Sequence, residues 1–405
     1  MKINFKIIIA FSIVIIMAIG RLYDERLSLS FINISVVFSV IYLLTTFTTL
    51  NIYNKLSRNT ISLTLIFIAI YYTASILYNT IFHFHSYEGL FVSIDKLLKY
   101  ILITLLSINI IISLSDKGLI QWVYRFLMGI SFILILLAIF KIALNGLNGI
   151  DRLSVAGGGP IVFARWVISG CTILFYTIDK KYKTIKIAIL VISSSLVILA
   201  GSKGPIIGII LSVGLLYFIQ QRKLLRSLIP ITILSFLVLF VILPNVAEFL
   251  PGRLQHMADI DKIINGTSGQ ARLDFYTKSF QMIGQHPFGV GIGNWAIEYM
   301  QISGREDVRL GYYPHNIIVE TFAEGGVIIG LLLIFILCYT FIITRRGLRL
   351  TQKDQSQYIK LSFILFCFYL INSCVSGDLN DARFMFLYMS LTISSIKSVS
   401  RNALA

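Results

Sequence analysis

The chain has 405 residues, of which 57% are hydrophobic and only 13% are charged, and its mean hydropathy is +0.83. So little polar surface excludes a water-soluble globule and predicts an integral membrane protein. The formal charge of +16 does not predict nucleic-acid binding, because no helix-turn-helix, zinc or RNA-binding pattern accompanies it.

Apolar runs of about 20 residues, the length that crosses a bilayer as a helix, follow one another along the chain. Twelve are predicted, near 4–20, 28–50, 61–83, 97–114, 119–145, 160–178, 185–200, 205–220, 229–248, 316–343, 359–375 and 383–397. The first run follows Lys2 and Lys6 and is interpreted as a retained signal anchor rather than a cleaved signal peptide. We therefore predict an all-α polytopic fold in which residues 1–405 form a single transmembrane domain.

The distribution of lysine and arginine predicts the orientation of these spans. If the N-terminus is cytoplasmic, most cations fall on the cytoplasmic side, and the short segments of the opposite side hold only Arg21, Arg26, Lys96, Lys99, Arg152, Lys203 and Arg383. The positive-inside rule then predicts cytoplasmic termini, with an even number of spans. In a bacterium, the opposite side of the inner membrane is the periplasm.

Residues 249–315, between the ninth and tenth runs, form the one long polar connection, and by the same count this loop is periplasmic. Apolar residues at helical spacing within 271–283 predict an amphipathic helix that lies on the membrane. The sequence HPFGVGIGNW that follows resembles a glycine-rich re-entrant turn. We expect this loop to be folded and functional.

Charged residues that hydrophobic packing does not explain converge on the predicted outer side. They are Arg152, Arg165, Lys203, Arg272, His315, Asp378 and Arg383. A shared anionic ligand would account for cations that are so far apart in sequence. Headgroup contact is an equally good interpretation of Arg152 or Lys203 taken alone, whereas Arg165 lies deeper and favours a cavity. A structural ion pair with Asp378 or Asp381 is the preferred interpretation of Arg383.

The segment PHNIIVETFAEGGVIIG, residues 314–330, carries the most chemistry in the chain. Pro314 suits a first helical position, which predicts His315 in the first turn, where the helix dipole favours a neutral imidazole. Glu320 and Glu324 share a helix face, and Asn316 is spaced to bond Glu320. A histidine that only hydrogen-bonds at the helix end is the simpler interpretation of His315 by itself. The chain shows no metal-ligand motif, so we expect neither a metal nor another cofactor.

Four stretches taken together resemble the O-antigen ligase and O-antigen polymerase superfamily of polytopic membrane glycosyltransferases. They are GSKGP, ARLDFYTKSFQMIGQHPFGVGIGNW, PHNIIVETFAEGGVIIG and SGDLNDAR, in the expected order over roughly residues 150–390. The resemblance implies about twelve helices in a type C glycosyltransferase arrangement. It also implies a sugar donor on undecaprenyl diphosphate, a periplasmic active site and inversion at the anomeric carbon.

The resemblance implies a role for each outer-side residue. His315 matches the histidine that acts as base, and Arg152, Arg165, Lys203 and Arg272 are the candidates for holding the diphosphate. Supporting or acceptor-binding roles fall to Asn316, Glu320, Glu324, Asp378 and Arg383. The expected partners are the lipid-linked oligosaccharide and membrane lipid, and a chain-length regulator protein is a further partner that the resemblance allows.

Two activities of the superfamily remain open, and a third function stands beside them. SGDLNDAR, GVGIGNW and the YYPHN form of the histidine motif favour a polymerase, which passes the growing glycan to another lipid-linked repeat unit. The alternative is a ligase that passes the glycan to lipid A-core. A flippase for lipid-linked glycans is less favoured, because no internal repeat is seen and the polar residues gather at one face.

Overall fold

The computed structural model describes residues 5–22, 60–82, 86–113, 117–146, 152–156, 159–221, 267–305, 308–351, 356–379 and 381–402. Within these ranges the regular structure is entirely helical. The α-helices are α1 (Phe5–Leu22), α2 (Thr60–Phe82), α3 (Tyr87–Ser113), α4 (Lys117–Asn145), α5 (Gly159–Thr177), α6 (Lys183–Leu199), α7 (Lys203–Gln221), α8 (Thr267–Gln285), α9 (Trp295–Ser303), α10 (Ile317–Leu350), α11 (Gln357–Ser373) and α12 (Arg383–Asn402).

The helices follow the apolar runs closely. Ten of the twelve predicted runs coincide with a helix, and the runs near 28–50 and 229–248 lie outside the described residues. The largest difference is at α3, which begins at Tyr87 and not near residue 97. The charged residues in the first turns of α3 lower the mean hydropathy of this stretch, so the predicted span began later, but the helix runs through them without a break.

Five helices of the described part are long and apolar enough to cross a membrane, by length and composition alone. They are Thr60–Ile81, Gly118–Asn145, Gly159–Thr177, Lys203–Gln220 and Ile317–Leu350. Large apolar side chains such as Phe67 and Leu136 are about half exposed in the middle of α2 and α4. Such surfaces would be unfavourable in water and are expected against lipid. In the part of the chain that the structure describes, the predicted all-helical fold is confirmed, and its five long apolar helices are consistent with a polytopic membrane protein.

Helix α11 lies at the centre of the bundle. It packs against α5, α7, α10 and α12, and most of its side chains are buried. The end of α11 lies at the same end of the bundle as the beginnings of α5, α7, α10 and α12, because Asn372 bonds Arg165 and lies against Gly208, and the loop after it bonds Glu320. This shared end, which we call the site end, carries the polar residues singled out in the sequence.

Helix α10 is broken near its beginning by Gly326, whose φ of 72° and ψ of −178° are not helical. The break leaves carbonyl groups without their helical donors. The glycine-rich turn, residues 287–293, supplies replacements: Val290 N donates to Ala323 O at 3.0 Å and Gly291 N donates to Glu324 O at 2.9 Å. The turn therefore replaces the helical hydrogen bonds that α10 loses at the break. Backbone polar groups at membrane depth need such partners, because no water is there to bond them.

Helices α8 and α9 form a small folded unit beside the start of α10. Phe275 packs edge-on against Trp295, and the indole N–H of Trp295 donates to Ser279 Oγ at 2.8 Å. The predicted amphipathic helix is confirmed as α8, but its buried face packs on the protein, while Leu273 and Phe280 are exposed on the other face. The part of the loop before residue 267 lies outside the described residues.

Candidate active site

The α11–α12 loop, residues 374–382 without residue 380, is the centre of the candidate site. Arg165 reaches this loop from α5. It is buried, with 6% of its surface exposed, and its guanidinium donates to Asn372 Oδ1 at 3.2 Å and to Ser376 O at 2.8 Å. Arg165 therefore lies in the protein interior against the end of α11 and not at the lipid headgroups, and the cavity predicted for it stays a prediction.

Asn372 also connects Arg165 with the glycines that follow Lys203. A Cβ atom on Gly208 would lie 2.6 Å from Asn372 Nδ2, and one on Gly204 would lie 3.8 Å from its Oδ1. At position 208 a side chain would displace the Asn372 amide, so glycine there lets α7 approach α11 closely, whereas a Cβ at position 204 would make an ordinary contact. The close approach brings the half-buried Lys203, the first residue of α7, to the same end of α11 as Arg165.

Arg152 holds the turn that leads into α7. Its guanidinium donates to Ala200 O at 3.2 Å, to Gly201 O at 3.0 Å and to Ser202 Oγ at 3.1 Å. These bonds satisfy the carbonyl groups at the end of α6, where a cation is favourable. Arg152 therefore lies beside Lys203 and fixes the turn that presents it.

His315 precedes α10 rather than lying in its first turn, so this sequence prediction was wrong. The helix begins at Ile317, and Asn316 is the N-cap, because its side-chain oxygen accepts from Ile318 N and Val319 N. An asparagine that satisfies two backbone donors is a stronger start signal than Pro314. His315 has a φ of 58°, a left-handed conformation that is uncommon for a side chain other than glycine.

The imidazole of His315 lies among aromatic rings and close to one cation. Its ring centre is 4.5 Å from that of Tyr313 and 6.2 Å from those of Phe275 and Tyr312. Burial lowers the pKa of His315, the charge of Arg272 lowers it further, and Asp378 acts in the opposite direction. The neutral imidazole expected from the sequence is therefore favoured, with burial rather than the helix dipole as the leading cause.

Two charged residues from different segments, Arg272 of α8 and Asp378 of the α11–α12 loop, lie near enough to His315 to affect its pKa. Arg272 lies in the first turns of α8 and is half-buried, and within the described ranges it forms neither a hydrogen bond nor an ion pair. Asp378 belongs to the α11–α12 loop, where its side chain accepts from Asp381 N at 2.7 Å. The loop that Arg165 contacts thus also carries a carboxylate that acts on His315.

Glu320 and Glu324 share a face, as predicted, but their partner is Lys96 rather than Asn316. Lys96 Nζ lies 2.7 Å from both carboxylate oxygens of Glu324 and also binds Glu320. The second oxygen of Glu320 accepts from Leu379 N at 3.0 Å. The predicted bond between the side chains of Asn316 and Glu320 is not formed, because the Asn316 side chain caps the helix; only the backbone oxygen of Asn316 bonds Glu320, accepting from its N–H at 2.9 Å.

Arg383 begins α12 with its guanidinium 5.7 Å from the centre of the Phe384 ring. The structure thus gathers all of the sequence-predicted residues at the site end. Arg152, Arg165 and Lys203 lie toward α5, α6 and α7, and Arg272 and His315 lie toward α8 and α10. The α11–α12 loop connects the two groups.

A family model described as O-antigen ligase matches residues 188–335. Residues 188–335 are similar to this family and are called the O-antigen ligase family domain below. The match confirms the resemblance to the O-antigen ligase and polymerase superfamily, and it spans Lys203, Arg272 and His315. A search of curated proteins found no match to the chain.

The O-antigen ligase family domain does not contain the whole of the candidate site. Arg152, Arg165 and Asp378 lie outside residues 188–335 and reach it only through the fold. Lys96 also lies outside, and sequence reasoning missed it because the predicted span began one residue later. One pattern could have indicated it. The apolar residues around Lys96 already have helical spacing, and Lys96 lies three residues before Lys99, so the helix could have been extended to include both.

Proposed function

We propose that the protein is an inverting membrane glycosyltransferase that uses glycans carried on undecaprenyl diphosphate, and that its activity is that of an O-antigen polymerase. The O-antigen ligase family domain supports the superfamily. The observation that carries the proposal is the convergence of four cations around the α11–α12 loop, together with His315, whose lowered pKa favours the neutral imidazole. The polymerase assignment rests on the sequence forms SGDLNDAR, GVGIGNW and YYPHN.

The cations suit the leaving group of this reaction. Cleavage between the anomeric carbon and the lipid diphosphate builds negative charge on the diphosphate, which fixed cations stabilise in a water-poor site. Lys203 and Arg272 are the main candidates, because each is half-buried at the site end. Arg152 and Arg165 already donate to backbone carbonyl groups, so they support the diphosphate site both by charge and by holding Lys203 and the α11–α12 loop.

His315 suits the role of general base. The acceptor hydroxyl must lose its proton as it attacks the anomeric carbon, and a neutral imidazole accepts that proton near neutral pH. The lowered pKa of His315 keeps it in the neutral form. The rings of Tyr312 and Tyr313 beside the imidazole offer apolar faces on which an acceptor sugar can lie.

The site end is proposed to face the periplasm of a Gram-negative bacterium, with both termini in the cytoplasm. The support is the excess of lysine and arginine at the opposite end of the bundle, for example at the turn between α5 and α6. Donor and acceptor would then meet at the outer surface of the inner membrane.

A ligase is the second candidate, favoured by the description of the matched family. Deletion of the gene in its own host distinguishes the activities through the glycans that remain. Loss of a polymerase leaves lipid A-core capped with one repeat unit, which is the expected result. Loss of a ligase leaves uncapped core together with lipid-linked polymer. Loss of a flippase leaves neither polymer nor capped core, and either of these last two results would contradict the polymerase.

A further inference from the structure

Lys96 is a buried lysine that lies outside the O-antigen ligase family domain and outside the span predicted for its helix. Only 7% of its surface is exposed, and the carboxylates that it binds, Glu320 and Glu324, are 0% and 1% exposed. Burying these charges costs free energy that their mutual attraction offsets only when the geometry is good. The three side chains are called the buried triad below.

The side chains of the buried triad join three separate segments of the site, and the backbone of Glu324 joins a fourth. Lys96 belongs to α3, and the two glutamates belong to the first turns of α10, beginning five residues after His315. Glu320 also accepts from Leu379 N, next to Asp378 in the α11–α12 loop. The backbone carbonyl of Glu324 accepts from Gly291 N of the glycine-rich turn. One lysine thus connects the helix start that carries His315 with the loop that carries Asp378.

We propose that Lys96 is a positioning residue for the transfer reaction, which holds His315 and Asp378 at their relative positions through Glu320 and Glu324. It touches neither donor nor acceptor. Well-packed apolar side chains would stabilise the bundle at least as well as a buried ion cluster, so stability alone does not account for this one. The proposal rests on the proposed function for its kinetic test, and a structural test makes it independent of that function.

The test compares two variants with the wild type. The triple variant Lys96→Met/Glu320→Gln/Glu324→Gln leaves no unpaired buried charge and is expected to fold. Its kcat is expected to fall by about 10- to 100-fold with KM for the lipid donor within about threefold, since a shift of about 1 Å in a catalytic group has effects of this size. Lys99→Met is the matched control. Lys99 lies on the same helix in an exposed pair with Asp95 at 2.5 Å, so kcat is expected to stay within about twofold.

Hydrogen exchange supplies the structural readout. In the triple variant, amides of residues 312–319 and 377–379 are expected to exchange faster, while those of α11 and α12 stay unchanged. A folded triple variant with the kcat of the wild type would overturn the proposal. If the triple variant does not fold, Lys96→Arg decides, because it keeps the charge but not the shape of the ammonium. A lowered kcat at unchanged KM in Lys96→Arg supports positioning, and a wild-type kcat assigns the triad to stability alone.

Failure of the proposed function gives a different result. If the wild type transfers no glycan from a polyprenyl diphosphate donor, the glycosyltransferase proposal falls and the exchange experiment alone decides the role of Lys96. Faster exchange confined to residues 312–319 and 377–379 then supports positioning, measured in the triple variant if it folds and in Lys96→Arg otherwise. Unchanged or uniformly faster exchange overturns it.

Discussion

His315 connects the chemistry of single residues to a measurable dependence on pH. Its pKa is lowered by burial and by Arg272 and raised by Asp378. A base must be unprotonated to act, so the transfer rate should begin to fall only as the pH drops below about 6.5, the ordinary value for histidine.

Two substitutions should move this acid limb in opposite directions. Arg272→Gln removes a positive charge, which raises the pKa of His315 and shifts the limb to higher pH. Asp378→Asn removes a negative charge, which lowers the pKa and shifts the limb to lower pH. The measurement is kcat/KM between about pH 5 and pH 8, normalised to each plateau. An acid limb that stays at the same pH in both variants would remove His315 as the titrating base.

Lys203 provides a second test at the residue scale. Lys203→Ala should reduce transfer by about 30- to 1,000-fold without unfolding the protein, because a charge contact made in the transition state commonly contributes about 2 to 4 kcal/mol. Lys181→Ala is the control, since Lys181 is exposed in the turn at the opposite end of the bundle. The readout is the length of polymer formed at native expression. Polymer of normal length in Lys203→Ala would take this lysine out of the diphosphate site.

At the scale of elements, the break in α10 and the glycine-rich turn act as one unit. A Cβ atom on Gly326 would lie 2.4 Å from the carbonyl carbon of Phe288, at a φ that disfavours every residue except glycine. Gly326→Ala should therefore destabilise the protein by about 3 kcal/mol, through backbone strain and the loss of the hydrogen bonds between α10 and residues 287–293. The transfer activity should fall together with the stability, because the broken first turns of α10 come directly after His315 and hold it in place. The measurement is the thermal midpoint in detergent.

Gly284→Ala is the matched control for this prediction. Gly284 lies in α8, close to the glycine-rich turn, and a Cβ atom there would meet nothing within 4 Å. Alanine in a helix is expected to be neutral or stabilising by up to about 1 kcal/mol. Equal thermal midpoints for Gly326→Ala and Gly284→Ala would show that the hydrogen bonds between the glycine-rich turn and α10 contribute nothing to stability.

The elements show where sequence reasoning succeeds and where it stops. Long apolar runs locate helices well, because hydrophobic length is a strong and local signal. The start of α3 was placed ten residues late, because Glu88, Asp95, Lys96 and Lys99 make this stretch look solvated, although Lys96 pairs with α10. The start of α10 was placed at Pro314, three residues before Ile317, because no local pattern indicates that Asn316 caps the helix after a left-handed His315.

At the scale of the whole molecule, the sequence predicted that the polar residues share one end, but not how they meet. Alternating helix directions follow from counting spans, so the common end of Arg165, Lys203 and His315 was accessible. The contacts that join them were not, because Asn372, Leu379 and the backbone carbonyls carry no signal in a single sequence. The structure places the α11–α12 loop, which carries SGDLNDAR, between the two groups of the candidate site.

The orientation of the protein in the membrane is also predicted. In a background without Cys171, Cys338, Cys367 and Cys374, Gln285→Cys at the exposed end of α8 should react with an impermeant thiol reagent that reaches the periplasm of intact cells. Lys181→Cys at the opposite end should react only after the inner membrane is opened. The reverse pattern would place the site end in the cytoplasm and contradict a periplasmic reaction.

The most direct test of the account is transfer by the purified protein from glycan on undecaprenyl diphosphate to a lipid-linked repeat unit, with a chelator present. The wild type should extend the glycan. His315→Ala should fold but lose about 100- to 10,000-fold of the rate, the usual contribution of a positioned acid–base group. His286→Ala, which removes an exposed histidine paired with Glu298 at 3.1 Å, should stay within about twofold. Near-normal turnover by His315→Ala, or activity abolished by the chelator, would contradict a metal-independent transfer with His315 as its base.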